Sequence, residues 1–118
     1  MKLHFKWINL KDVVNLGVRI EIWSFTQVPQ ATYILYDMYS GKEGKIAEIT
    51  LELDISMFVE ASYQMLFTFF YRDKFGNNQD VDFVKGLCFD KTNGLNDEIF
   101  IWKPQNWGYL KMQTPKIL

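Results

Sequence analysis

Residues 61–90, ASYQMLFTFFYRDKFGNNQDVDFVKGLCFD, decide how the whole chain is read. Ala61, Tyr63, Met65, Phe67, Phe69 and Tyr71 fall on one side of an extended chain, and Ser62, Gln64, Thr68 and Arg72 fall on the other. Successive side chains in a strand point to opposite faces, so a period of two marks a strand with one buried face. The patch at residues 73–78, centred on Gly76-Asn77, is made of residues that turn a chain. Residues 80–90 then return as a second strand. The stretch reads as a central hairpin around which the other strands pack.

The same rhythm recurs on either side. Leu3, Phe5 and Trp7 alternate with Lys2, His4 and Lys6 in a short first strand. Residues 9–16 read as a turn or one helical turn, stopped by Gly17. Val18, Ile20 and Ile22 alternate with Arg19, Glu21 and Trp23 in a second strand, which Pro29 breaks because it cannot donate to a ladder. Residues 32–39 are β-branched and aromatic. Ile49, Leu51, Leu53 and Ile55 alternate with Thr50, Glu52 and Asp54, and across the turn at residues 40–44 the two segments read as a hairpin. Beyond residue 90 come a polar turn at 91–97, a brief strand at 99–102 ended by Pro104, and a last strand at 107–112.

About eight short strands without a long helical period predict an all-β domain, a single antiparallel β-sandwich over residues 1–118, with a closed barrel as the alternative. At 118 residues the chain is long enough to bury a core without staples. Its net charge of −1 supplies no basic field for a phosphate backbone, which argues against a nucleic-acid partner. The start, Met1-Lys2-Leu3-His4-Phe5-Lys6, lacks the apolar core of a secretory leader, and no apolar run approaches a membrane span. The expected location is the cytoplasm, with no direct membrane insertion. Cys88 is the one cysteine, so no internal disulfide forms; between Leu87 and Phe89 it reads as a buried thiol.

Catalytic and metal patterns fail on inventory. Asp73, Asn77, Asn78, Asp80 and Asp82 gather oxygen donors, but Phe75 stands where a calcium loop needs a ligand, and the residues suit a hairpin turn. One His and one Cys far apart do not make a zinc site. His4, on a terminal strand, is the only imidazole available to a nucleophile, and it reads as a rim side chain. Asp80 and Asp82 sit at i, i+2 on one strand, not across a cleft as glycoside hydrolysis requires. Gly41-Lys42-Glu43-Gly44 lacks the spacing of a phosphate loop. The expectation is a non-enzyme with no cofactor and no metal.

Aromatics make up 17% of the chain, and two of them break the alternation. Trp23 shares its face with Arg19 and Glu21, and Phe70 shares its face with Gln64, Thr68 and Arg72. Rings stack on the C–H faces of sugars while neighbouring polar groups take hydroxyls. Trp23, Phe70, Arg72, Arg19 and Gln64 are therefore the candidate carbohydrate-binding residues. The competing reading is that a loop or a second subunit covers these rings.

One resemblance bears on the choice. Leu53, Tyr63-x-Met65-x-Phe67, the turn Asp73-x-Phe75-Gly76-Asn77, Val81-Asp82-x-Val84, Leu87-Cys88-Phe89-Asp90 and Trp107-Gly108-Tyr109-Leu110-Lys111-Met112 together resemble the C-terminal domain on the ATPase subunit of ABC exporters for O-antigen and other surface polysaccharides. Val81-Asp82 stands for that family's Leu-Asp step, Phe89-Asp90 for its Phe-Glu step, and Gly108-Tyr109-Leu110 for its closing strand. The resemblance implies an immunoglobulin-like β-sandwich that recognises a finished lipopolysaccharide glycan, acts with the transporter ATPase and permease near the membrane, and forms a homodimer. A structural or oligomerisation module without a small ligand is the alternative.

Overall fold

A computed structural model of the chain describes residues 1–92 and 103–118. Among the described residues six strands run in order: β1 Lys2–Ile8, β2 Val13–Ser24, β3 Pro29–Gly41, β4 Ile46–Glu52, β5 Ala61–Arg72 and β6 Asn78–Lys91, followed by one helical turn, α1 Pro104–Trp107. All pairing between strands is antiparallel. Among the described residues β1 and β4 form a two-stranded sheet, and the other four strands form a sheet of order β3-β2-β5-β6. Among the described residues the fold is thus all-β apart from α1, and its sheets do not close into a barrel.

The alternation read from the sequence places the core. Val18, Ile20 and Ile22 lie opposite Phe69, Phe67 and Met65 across the β2–β5 ladder, so these residues share one face of the four-stranded sheet. Against that face lie the inward residues of β1. Phe5 meets Phe67 and Phe69 edge-on, at 5.1 and 5.8 Å between ring centroids, and Leu3 is buried in the same cluster. Full burial of each such side chain is worth about 1.5–3 kcal/mol. His4, on the outward face of β1, is exposed and meets Thr50 at 3.0 Å and Glu48 at 3.5 Å. At the entry to β5, Tyr63 is fully buried and its hydroxyl donates to the Val59 carbonyl at 2.7 Å. Burial, first, and the neighbouring Tyr109 push its pKa up to about 12.

Several expectations are corrected. Residues 32–39 and 49–55 do not form a hairpin: β3 pairs with β2 and β4 with β1, because residues 42–45 carry the chain from one sheet to the other. Gly17 does not stop a turn; it lies within β2. Residues 107–112 are not a strand. Pro104 opens α1 with its fixed φ, Gly108 ends it at φ 80°, and only Leu110 bridges to Phe58. The strand expected at 99–102 and most of the turn at 91–97 lie outside the described residues.

Candidate functional site

The second face of the four-stranded sheet carries the predicted residues. Residues opposite one another on adjacent strands share a face, so the ladders define rows across it. Pro29, Trp23, Gln64 and Cys88 form one row; Thr32, Glu21 and Leu66 lie in the next; Ile34, Arg19, Thr68 and Phe83 form a third; Gly17, Phe70 and Asp80 lie in a fourth. Rows are two residues apart, roughly 7 Å, so Trp23 and Phe70 stand roughly 20 Å from each other. The structure therefore places Trp23 directly beside Gln64, with Arg19 two rows from Trp23 and one row from Phe70. Phe70 and Arg72 belong to the far end of the same face.

At the near end, Trp23 is half-buried, and its indole N–H is buried without a hydrogen-bond partner among the described residues. Leaving such a donor unpaired costs about 1–3 kcal/mol. The side chains of Arg19, Glu21 and Gln64 are also half-buried, and among the described residues none of the three makes a hydrogen bond or an ion pair. A carboxamide beside the indole, a carboxylate one row on and a guanidinium two rows on thus have their donors and acceptors uncommitted. That set can bind hydroxyls from row to row while the ring takes an apolar face.

At the far end the expectation for Phe70 is corrected. Its ring is on the predicted face but only 3% exposed. Tyr36 lies over it, edge-on at 5.5 Å, and below it the backbone of Gly17 leaves room that any side chain would fill. Arg72 in turn covers Tyr36, its guanidinium 4.5 Å from the ring centroid. Tyr36 therefore takes the exposed position that the sequence assigned to Phe70. No local pattern marks it, since Ile34, Leu35 and Tyr36 follow one another without alternation. Cys88 is corrected as well: it is exposed, in the row of Trp23, and not a buried thiol.

A cleft of about 590 Å³ lies elsewhere, between the end of β4 and the end of β6, lined by Met1, Glu52, Asp54, Ser56 and Lys91 among others. The oxygen-rich turn after β5 is self-satisfied. One Asp73 carboxylate oxygen accepts from the Phe75 N–H at 2.9 Å and the Asn77 N–H at 3.0 Å, and the other accepts from the Gln79 amide at 3.1 Å. Those backbone donors, Asn77 first, hold its pKa below the usual carboxylate value. Among the described residues no three His, Cys, Asp or Glu side chains are placed to share a metal ion. Comparison with protein-family models, curated proteins and solved structures finds no match to this chain.

Proposed function

We propose that this chain is a non-catalytic carbohydrate-binding module, built as an immunoglobulin-like β-sandwich and accessory to the ATPase and permease of a polysaccharide or O-antigen ABC exporter. It works in the cytoplasm, as a homodimer, and reaches the membrane through that complex. Two features support the fold reading. The pairings β1–β4 and β3-β2-β5-β6 follow the B–E and C′-C-F-G neighbours of immunoglobulin-type sheets. The Tyr63 hydroxyl on the Val59 carbonyl, at the start of the strand in the F position, has the form of a tyrosine corner.

The observation that carries the function is the uncommitted set on one face: Trp23 beside Gln64, Glu21 one row on and Arg19 two rows on, with no partner to any of their side-chain polar groups among the described residues. A sheet face kept only for solvent would have its Arg and Glu fully wet, whereas Arg19 and Glu21 are half-buried here. A glycan array tests the reading. The full chain retains at least one bacterial surface polysaccharide, and Trp23→Ala weakens that binding about tenfold, the value of roughly 1.4 kcal/mol of lost stacking. Loss of folding in that variant, or no retained glycan, defeats the proposal.

The second reading, an assembly module without a small ligand, draws on Ile34 and Phe83. Both are half-exposed in the row of Arg19, and a protein partner would cover them. Size-exclusion chromatography with and without glycan separates the two: a tight dimer indifferent to every sugar favours assembly.

A further inference from the structure

Three connections meet at one end of the molecule: residues 9–12 between β1 and β2, 42–45 between β3 and β4, and 73–77 between β5 and β6. The first two are fastened to each other, and the third lies beside the first. Asn9 is buried; its amide donates to the Tyr39 hydroxyl at 2.8 Å and the Lys42 carbonyl at 3.0 Å, and its backbone carbonyl accepts from the Gly44 N–H at 2.7 Å. Asp12 accepts from the Glu43 N–H at 2.9 Å and lies 3.5 Å from the Lys42 ammonium. The Lys11 ammonium stands 5.7 Å from the Tyr71 ring centroid, just before the third connection, which Asp73 closes.

From this base apolar side chains project into solvent. Leu10 is 84% exposed and Phe75 77%, while Ile46 and its ladder partner Ile8 are also exposed. Two of the connections hold an apolar residue next to a lysine, Leu10-Lys11 and Lys74-Phe75, and Lys45 of the other precedes Ile46 at the start of β4. The acids nearby are Asp12, Glu43 and Asp73, and the carboxylates of Asp12 and Asp73 are engaged by backbone N–H groups. With Lys42, the connections carry four lysines against three acids, a positive excess on a chain whose net charge is −1.

We propose that this end docks on the headgroup layer of an anionic lipid bilayer. Leu10, Phe75 and Ile46 dip below the phosphates, and Lys11, Lys45 and Lys74 meet the phosphate charge. Exposed apolar side chains, each next to a lysine in sequence and set in an end with a positive excess, fit a fluid anionic interface that closes around them. This is contact beyond the sequence expectation of no membrane insertion. It involves no crossing, and among the described residues no helix is long and apolar enough to span a bilayer. The inference does not rest on the carbohydrate reading.

Vesicle co-sedimentation with the full chain tests it. Vesicles of phosphatidylcholine mixed with phosphatidylglycerol pellet the protein at low salt, vesicles of phosphatidylcholine alone pellet far less, and raised salt releases it. The double substitution Leu10→Ser, Phe75→Ser lowers partitioning about tenfold or more. Lys11→Gln with Lys74→Gln lowers it for anionic vesicles only. All four positions are on exposed connections, and an unchanged urea midpoint confirms that each variant is folded. The proposal is overturned if the wild-type chain stays in the supernatant with anionic vesicles, or if the Leu10, Phe75 variant pellets like the wild type. It is equally overturned if that variant instead abolishes a self-association seen without lipid, which would make this end a protein interface.

Discussion

Gly17→Ala puts the packing of the candidate face to a test of sign. A Cβ at Gly17 would stand 2.7 Å from the Leu35 carbonyl oxygen on β3 and 2.7 and 3.0 Å from Cζ and Cε2 of Phe70 on β5. Neither neighbour yields easily. The carbonyl is backbone, and the Phe70 ring is held under Tyr36. Replacing glycine within a strand should by itself stabilise by about 0.5–1 kcal/mol, because the unfolded chain loses freedom. Forcing a methyl group into filled space costs about 1–3 kcal/mol. The clash wins, and the net destabilisation is about 1–2 kcal/mol, a fall in Tm of roughly 3–10 °C for a domain of this size. Calorimetry and urea unfolding measure it. In a Phe70→Leu background the penalty shrinks by about 0.5 kcal/mol or more, since the ring contact is gone, but it does not vanish while the Leu35 carbonyl remains. A rise in Tm on Gly17→Ala would refute the placement of Phe70 between Gly17 and Tyr36, and with it the position given to Tyr36 on the face.

Tyr63→Phe removes a buried hydroxyl and leaves the Val59 carbonyl unpaired, which lowers stability by about 1–2 kcal/mol in urea unfolding. The raised Tyr63 pKa fixes a pH signature: its contribution is complete below pH 10 and is lost as pH rises toward 12, so the alkaline limb of the wild-type stability curve flattens in the variant. At the β5–β6 turn the sign reverses. Asp73 titrates below 3.8, so its support of the turn is present above that value and disappears as pH falls through its lowered pKa; Asp73→Ala abolishes the corresponding titration of the Asn77 amide resonance. Arg72→Ala uncovers Tyr36 and costs about 0.5–1 kcal/mol of cation–π contact, read as a small drop in the thermal midpoint.

The buried faces were legible because alternation is a local property. Tyr63, Met65 and Phe67 on β5, and Val18, Ile20 and Ile22 on β2, point inward as their spacing requires. Which strands pair is not local. Residues 42–45 look like a hairpin turn between two strand-like runs, yet they change sheets, and the hydrophobic rhythm on either side would be the same in both cases. Phe70 shows the limit within the site. Its parity predicted the right face, but its burial depends on a missing side chain at Gly17 and a covering ring from Tyr36, on two other strands. Asn9 ties its connection to β3 through the Tyr39 hydroxyl, 30 residues away, and nothing near it in sequence announces the contact. At residues 107–112 a run of aromatic and apolar residues imitates a strand. Pro104 and Gly108 set the backbone there instead.

The most direct measurement is an NMR titration of the isotope-labelled chain with the polysaccharide it retains. Binding on the proposed face moves the indole N–H resonance of Trp23 and the amides of Arg19, Glu21 and Gln64. The resonances of His4, Lys6 and Glu48, on the outer side of the small sheet, stay fixed. Shifts gathered instead around the cleft of Met1, Asp54 and Lys91, or a Trp23 indole unmoved at saturation, would contradict the assignment of this face to glycan binding.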